Sequence, residues 1–351
     1  MKIRYQKVAE MERGYSIALV PGADAGGESA FVAGSEGKDA LVYFEPPDYK
    51  PRVIAREPGG FISLAPLVWK GRRYVVASTR FYPFFEAAGS VIRLYPLDEG
   101  ECPSGSEVAV LPYAHRIGVH EAAGRAWLLA STLCGGKADK DDWSQPGGIH
   151  LLEVPEDPAG PWPGRQIVSG LNKNHGMDPA VLGPERERGW LLSAQEGLLF
   201  MPVPGDPDGP WRTRVIDRRE HSDAFAFDWV GPGETEVFSI SPFHGNVLAR
   251  HCCNGNGWER EIIDDDLAMG HIVWAGNLLG EPGLLAGSRR EGKELRLYRP
   301  DANAPHGLRC TTLEEGIGPS QMIVVTPGDD RAILYMAAHG VNEIRVYHLE
   351  K

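Results

Sequence analysis

The sequence has no long apolar run and no apolar leader. Its longest apolar stretches, such as AILYMAA at 332–338, are much shorter than the about 20 residues that a membrane-spanning helix needs. The opening MKIRYQKVAEMERGYS contains no apolar segment of the kind that a secretory signal requires. We therefore expect a cytoplasmic protein without a membrane partner.

Basic residues are outnumbered and cysteines are few. The sequence has 36 lysines and arginines but 48 acidic residues, and the formal net charge of −12 argues against nucleic acid as a partner. The five cysteines have no metal-ligand spacing, and the adjacent Cys252 and Cys253 indicate reduced thiols rather than a disulfide framework. No P-loop, dinucleotide fingerprint, G-x-S-x-G or H-E-x-x-H motif occurs, so no nucleotide cofactor is expected.

Glycine and proline, in contrast, are abundant. There are 43 glycines and 28 prolines among 351 residues, with no low-complexity tract that would account for them. Together they make up about one residue in five, against an ordinary one in eight. This composition is typical of many short strands joined by turns.

A short apolar stretch that ends in small residues occurs seven times, at intervals of 44 to 63 residues. Its members are FVAGS at Phe31, VVAST at Val75, LLAST at Leu128, LLSAQ at Leu191, VFSIS at Val237, LLAGS at Leu284 and LYMAA at Leu334. Each is followed by an alternating stretch, namely ALVYFEP, VIRLYPL, IHLLEVP, LLFMPVP, NVLARHC, ELRLYRP and EIRVYHL. Alternation of apolar and polar residues predicts strands.

A further strand follows each of the first six repeats, and an apolar segment opens every repeat. The seventh repeat lacks its following strand, but KIRYQKV at 2–8 has the same pattern with no repeat before it. Four strands in about 50 residues are typical of a propeller blade. We predict that residues 1–351 form one seven-bladed β-propeller, closed by the N-terminal strand. Two separate β-sandwiches would need a linker near the middle, and none is visible.

Polar residues recur where the innermost strand of each predicted blade begins. These starts line the central channel of a propeller, and the loops between second and third strands lie on the same face. Five blades have a polar residue at or near this start, in the stretches AHRIGV, NHGMDPA, EHSDAFAF, GHIVWA and SQMIVV. The residues predicted on that face are His115, His175, Asp178, His221, His271 and Gln321. We predict that these residues surround the channel and form a functional site. The alternative is that repeats share these histidines for packing.

The loops between second and third strands add Arg80, Gln195, His244, Arg289 and His339 to the same face. Arginine offers a rigid set of donors to carboxylates, and histidine serves as base, acid or metal ligand near neutrality. The lining therefore predicts a polar ligand, either a small sugar or oligosaccharide substrate or an anion. In two insertions, Tyr82 is a candidate acid and Trp143 a candidate sugar-stacking ring, with packing on the rim as the alternative for both.

Two chemistries are compatible with this site. In the first, one divalent ion, zinc or manganese, is held by His175, Asp178, His221 and His271 and acidifies a carbon–hydrogen bond beside a carbonyl or carboxylate. In the second, arginines neutralise the developing enolate while a histidine removes the proton. Both end in β-elimination. The predicted catalytic residues are His115, His175, His221, His271, Arg80, Arg289 and Tyr82, and those predicted to contact the substrate are Gln195, His244, Gln321, His339 and Trp143.

The stretch IIDDDLAMGHIVWAGNLLGEPGLLAGSRREGKELRLYRPD at 262–301 resembles a blade of the FG-GAP/VCBS-type propellers, in particular those of the aldos-2-ulose (1,5-anhydrofructose) dehydratase family. NKNHGMDPA and REHSDAFAFDW are similar to its neighbouring blades. The resemblance implies elimination of water from a keto or anhydro sugar, with a metal and histidines near the propeller axis. The calcium loops usual in FG-GAP blades are reduced here to NLLGEPG and VGPGETE, so structural calcium is not expected, and these residues include no cupin partner domain.

Three functional hypotheses follow. The leading one is a carbon–oxygen lyase acting on a keto sugar or a uronate-type substrate. The competing one is a non-catalytic propeller that binds a glycan or a protein. A hydrolase or epimerase would use the same lining, because one fold hosts many activities.

Overall fold

In a computed structural model, which describes residues 1–82, 84–100, 102–255 and 257–351, the chain forms seven four-stranded antiparallel sheets. The sheet of blade 1 contains β2 (Gly14–Ala25), β3 (Glu28–Ser35), β4 (Leu41–Phe44) and β5 (Arg52–Ala55). Blade 2 contains β6 (Ser63–Trp69), β7 (Arg72–Thr79), β8 (Val91–Pro96) and β9 (Ser106–Val110). Blade 3 contains β10 (Ala114–Ala122), β11 (Arg125–Thr132), β12 (Gly147–Glu153) and β13 (Gly164–Leu171).

The remaining blades repeat this arrangement. Blade 4 contains β14 (Gly176–Leu182), β15 (Glu187–Ala194), β16 (Gly197–Pro202) and β17 (Arg214–Asp217), and blade 5 contains β18 (Asp223–Asp228), β19 (Thr235–Ser241), β20 (Val247–Cys253) and β21 (Trp258–Asp264). Blade 6 contains β22 (Gly270–Leu278), β23 (Glu281–Ser288), β24 (Leu295–Pro300) and β25 (Leu308–Glu314). Blade 7 contains β26 (Gln321–Gly328), β27 (Arg331–Ala338), β28 (Glu343–Glu350) and β1 (Lys2–Glu10).

The predicted seven-bladed propeller is confirmed, together with its closure. The seven apolar stretches form the second strand of each blade, and the alternating stretches form the third. The N-terminal strand β1 pairs with β28, from Lys2 opposite Glu350 to Glu10 opposite Glu343. Because β1 covers the outer edge of β28, the last blade has four strands like the others.

The hydrophobic core lies between neighbouring blades, because a single four-stranded sheet cannot bury both of its faces. One buried cluster joins Val76 and Leu94 of blade 2 to Leu128 and Leu152 of blade 3, and the other interfaces are built in the same way. The described residues include only short 3-10 helices, at Phe84–Gly89, Pro305–Gly307 and His339–Val341. None of these could span a membrane.

Three inner strands begin with a β-bulge, which gives their second residue an unusual direction. The pairing of β2 with β3 skips Tyr15, that of β10 with β11 skips His115, and that of β22 with β23 skips His271. A bulge leaves one residue outside the ladder and re-aims its side chain. These three side chains meet near the propeller axis.

Candidate functional site

Histidines from three blades meet at the axis, on the face where the inner strands begin. His175 directly precedes β14, His271 is the bulged residue of β22, and His244 lies in the loop between β19 and β20. Each offers one ring nitrogen to a group in which these atoms all lie within 4.8 Å of one another. The ring of His115 adjoins this group, with its centroid 4.3 Å from that of His175.

Acceptor groups fix the orientation of the buried imidazoles. The Nδ1 atom of His115 donates to the carbonyl of His175 at 3.1 Å, and that of His271 donates to the carbonyl of Ser320 at 2.7 Å. The Nδ1 atom of His175 lies 3.3 Å from the carbonyl of Ser222 and 3.1 Å from the Asp223 carboxylate. Because these partners can only accept, Nδ1 of each ring carries a proton.

This donor set fits a divalent ion such as zinc. The Nε2 atoms of His175 and His244 lie 3.1 Å apart, and two ligands of one zinc ion lie at most about 4 Å apart when each bond is about 2.0 Å. Backbone carbonyls that hold Nδ1 are also the usual outer partners of metal-binding histidines. His175, His244 and His271 are therefore the residues that would hold an ion at the axis.

Burial keeps three of the cluster histidines neutral, namely His115, His244 and His271. Burial, with the positive charge of Arg289, lowers the pKa of His271 well below its ordinary value, and burial likewise lowers that of His115. Burial and then His175 lower the pKa of His244 to about 3. At neutral pH these three imidazoles are unprotonated, the form that binds a metal ion.

A phenol and a guanidinium contact the same nitrogen of His271. The hydroxyl of Tyr15 donates to His271 Nε2 at 3.1 Å, and Arg289 Nη1 lies 3.4 Å from that atom. Burial raises the pKa of Tyr15 to about 12, so the phenol keeps its proton. This places a proton donor and a permanent cation next to a neutral imidazole.

Glu36 extends these contacts to a further histidine. Its Oε1 atom lies 3.5 Å from Arg289 Nη2, 3.0 Å from Arg13 Nη2 and 2.9 Å from His339 Nε2. Burial opposes ionisation of Glu36, but the hydrogen bond from His339 and the two arginines lower its pKa to about 2. The carboxylate therefore orients His339, whose Nε2 donates to it.

An axial cavity of about 310 Å³ adjoins the cluster and is lined by the inner strands. His271, Arg116, Asp178, Asp223 and Gln321 contribute polar groups to its wall. Burial raises the pKa of Asp178 to about 7. Arg116 lowers this pKa and Asp223 raises it, both by less than burial does. Burial opposes ionisation of Asp223 as well, but His175, Arg116 and Ser222 lower its pKa to about 2.

The structure brings some of the predicted site residues together and leaves others apart. His115, His175, His244, His271, Arg289 and His339 lie in the contacts described above. Asp178 and Gln321 line the cavity instead, where Gln321 Oε1 accepts from the backbone of Ile17 at 2.8 Å. Asp178 is not one of the three residues grouped as metal ligands at the axis.

His221 lies in a different cluster from the one we predicted. It is grouped with Asp217 of blade 4 and His251 of blade 5, not with His175 and His271, because its ring packs between these two residues. The predicted equivalence with His175 rested on spacing alone. The chain between β17 and β18 directs Ser222 and Asp223 to the axis and His221 away from it.

Four other predicted residues lie outside the histidine cluster. The side chains of Arg80 and Gln195 are exposed. The hydroxyl of Tyr82 donates to the carbonyl of Pro58, and Pro83, next to it in the same insertion, lies outside the described residues. The ring of Trp143 lies 6.2 Å from Phe243, under the Lys137 ammonium at 3.2 Å.

The sequence interpretation missed Tyr15, Glu36 and Arg116. A signal for Tyr15 was present, because GYSIAL, AHRIGV and GHIVWA each have a small residue and then a ring at the start of an inner strand. An alignment of the repeats by spacing alone misses Tyr15, because it cannot include the one-residue bulge between Gly14 and Ser16. Glu36 and Arg116 had no such signal in the sequence. Single acidic and basic residues occur in most turns and strands, so nothing distinguishes these two.

Fold and site define a seven-bladed propeller with a polar, histidine-rich axis. No protein-family model matches the sequence, and no curated protein matches it. Among solved structures, the chain is similar to YCF48 bound to a D1 peptide, with 12% identity, a TM-score of 0.57 and coverage of 99% of this chain and 95% of that chain. It is also similar to the propeller domain of Cps50 (Swd1) from Myceliophteria thermophila, with 11% identity, a TM-score of 0.60 and 97% of both chains covered.

A third similar structure is an ancestral GH74 enzyme, with 13% identity and a TM-score of 0.62. The match covers 97% of this chain but only 48% of that enzyme. Likeness at such identities shows the propeller fold alone. One of the three structures is an enzyme and another is a peptide complex, so the fold does not choose between catalysis and binding.

Proposed function

We propose that this propeller is a carbon–oxygen lyase that acts on a keto sugar or a uronate-type substrate. The observation that carries the proposal is the continuous series of contacts from Tyr15 through His271, Arg289 and Glu36 to His339. It combines a proton donor, a cation and an oriented base, which are the groups that β-elimination needs. The resemblance of 262–301 to the aldos-2-ulose dehydratase family supports the same reaction class.

In this proposal His339 is the base, held by the Glu36 carboxylate as the base of a catalytic dyad is held by its acid. It removes the proton from the carbon beside the substrate carboxylate or carbonyl. The electron pair of that bond forms a carbon–carbon double bond, and the carbon–oxygen bond one position further breaks. Arg289 neutralises the negative charge that develops on the carboxylate or carbonyl oxygen.

Tyr15 completes the reaction by giving its proton to the leaving oxygen. Its raised pKa, about 12, keeps that proton available at neutral pH. His175, His244 and His271 are proposed to hold a zinc or manganese ion, which would supply a positive charge that acidifies the carbon–hydrogen bond. Tyr15 would then give up the Nε2 lone pair of His271 to the ion, which releases its hydroxyl to the substrate. Arg116, which lines the adjoining cavity, is proposed to bind a second anionic group of the substrate.

The test is turnover of keto sugars and uronate oligosaccharides, followed by the ultraviolet absorbance of the unsaturated product. Tyr15→Phe and His339→Gln should each lower kcat about 10²–10⁴-fold, the usual contribution of a positioned acid or base. His306→Gln, which changes an exposed histidine of blade 6, is the matched control and should retain full activity. Full turnover by both Tyr15→Phe and His339→Gln, with the fold intact by circular dichroism, would contradict the proposal.

The burial of the cluster favours a second candidate, a propeller that binds a glycan or a protein without turnover. His115, His175 and His271 are only 3%, 1% and 2% exposed, so their nitrogen atoms are nearly closed to solvent. In that case the cluster has a structural role and the rim binds the partner. Calorimetric binding of the same oligosaccharides, with no unsaturated product formed by the unaltered protein, would support this candidate over the lyase.

A further inference from the structure

A second group of potential ligands lies between blades 4 and 5, apart from the axial cluster. Asp217 ends β17, His221 follows it in the connection to β18, and His251 lies in β20. One atom from each falls within 4.8 Å of the other two. Asp217 is 7% exposed, His221 0% and His251 1%, so water from the surface does not reach them freely.

The atoms that face one another in this group have no hydrogen-bond partner. Among the described residues they are Asp217 Oδ2, His221 Nε2 and His251 Nδ1. A buried polar atom without a partner costs about 1–3 kcal/mol. Three such atoms at one place fit a bound ion.

The neighbouring side chains leave these atoms free. Arg219 donates to the other carboxylate oxygen of Asp217, at 3.0 Å from Nη1 and 3.1 Å from its backbone nitrogen. The Nε atom of Arg260 remains 3.5 Å from Oδ2 without a hydrogen bond, while its Nη2 donates to Ser241. The hydroxyl of Ser239 lies 2.8 Å from His251 Nε2, which leaves Nδ1 of that ring directed to the group.

We infer that Asp217, His221 and His251 form a zinc site that links blades 4 and 5, with the fourth coordination position left to a water molecule. One carboxylate oxygen and two imidazole nitrogens are the ligands that zinc accepts in proteins. Oδ2 lies 3.3 Å from His221 Nε2 and 3.9 Å from His251 Nδ1, within the about 4 Å that separates two ligands of one zinc ion. Ser239, at His251 Nε2, would orient the His251 ring so that Nδ1 binds the metal.

The site also supports the axial cluster through the chain. His221 is followed by Ser222, whose carbonyl accepts from His175 Nδ1, and by Asp223, whose carboxylate lies 3.1 Å from the same atom. Zinc at His221 would therefore hold the segment that orients His175. The ion has no place in the proposed elimination, and the inference does not depend on that reaction.

The test measures zinc by inductively coupled plasma mass spectrometry in protein purified without metal-affinity resin. The measurements are made in a His244→Ala background, so that the axial cluster lacks one of its three nitrogens. About one zinc per chain should remain in that variant. It should be lost when His251→Ala or Asp217→Asn is added, and zinc returned to stripped protein should raise Tm only where both residues are intact.

Two controls separate ligand loss from unfolding. His150→Gln, which changes a half-buried histidine of β12 outside both groups, should keep the zinc. Ser239→Ala keeps all three ligands and should lower zinc affinity about 10–100-fold. Equal zinc content with and without Asp217→Asn, or a His244→Ala protein that neither contains zinc nor gains Tm when Zn²⁺ is added, would overturn the inference and leave Asp217 only ion-paired to its arginines.

Discussion

At the scale of single residues, Asp178 predicts how stability depends on pH. Its pKa is about 7 in the folded protein against an ordinary 3.8, with burial as the main cause. Between these values the folded state binds more protons than the unfolded chain, so this residue makes stability fall as pH rises towards 7. Asp178→Asn cannot ionise, and we expect it to raise Tm by a few degrees at pH 8 and to have a smaller effect at pH 5.

The control for this measurement is Asp265→Asn, which changes an exposed carboxylate in the turn after β21. Its effect on Tm should be small and the same at both pH values. If the Tm difference caused by Asp178→Asn does not change between pH 5 and pH 8, the carboxyl group is ionised in the same way folded and unfolded. Its assignment as a neutral group in the cavity would then be wrong.

The residue scale is also where the sequence was least informative. The repeats placed His115, His175 and His271 on one face, and the structure brings them together, because strand starts are periodic. The direction of a side chain at a strand start is not periodic. A one-residue bulge directs Tyr15 to the axis, and an irregular turn directs His221 away from it.

At the scale of elements, Gly176 determines how closely blade 5 approaches His175. A Cβ atom at this position would lie 2.8 Å from the carbonyl oxygen of Ser222 and 3.1 Å from the Cα atom of Asp223. Both are backbone atoms, so the start of β18 would have to move. We expect Gly176→Ala to lower the free energy of unfolding by about 1–3 kcal/mol, the usual cost of overpacking, as measured by denaturant titration.

The same substitution should loosen His175, because Ser222 and Asp223 hold its Nδ1 atom. The matched control is Gly205→Ala, since a Cβ atom there meets no atom within 4 Å. That variant should unfold within about 0.5 kcal/mol of the unaltered protein, as surface substitutions do. Equal stability of the two variants would show that β18 tolerates displacement at its start.

Strands themselves were predictable, because their signals are local. Alternation and small terminal residues identified the second and third strands of all seven blades, and the order of the blades followed from the order of the repeats. The pairing of β1 with β28 joins the two ends of the sequence. It was predictable only from the number of strands in each repeat, since the seventh repeat lacked one strand and residues 2–8 supplied one.

At the scale of the whole molecule, closure by β1 predicts the effect of removing it. Eight residues of β1 pair with β28, although most of their side chains are exposed. Deletion of residues 1–10 should therefore lower Tm by several degrees and leave β28 as an uncovered edge. Light scattering should detect association of the shortened protein, because an open edge pairs with other chains.

A circular permutant separates closure from simple loss of ten residues. Lys2 lies opposite Glu350 in an antiparallel pair, so a short turn after Lys351 can lead directly into residues 2–10 when they are moved to the end of the chain. Blade 7 then contains the same four strands, now consecutive in sequence. The permutant should recover the Tm and the monodisperse scattering that the deletion loses. If the permutant is as unstable as the deletion, the pairing alone is not sufficient, and the ring depends on joining the first blade to the last through a continuous chain at Glu10–Gly14.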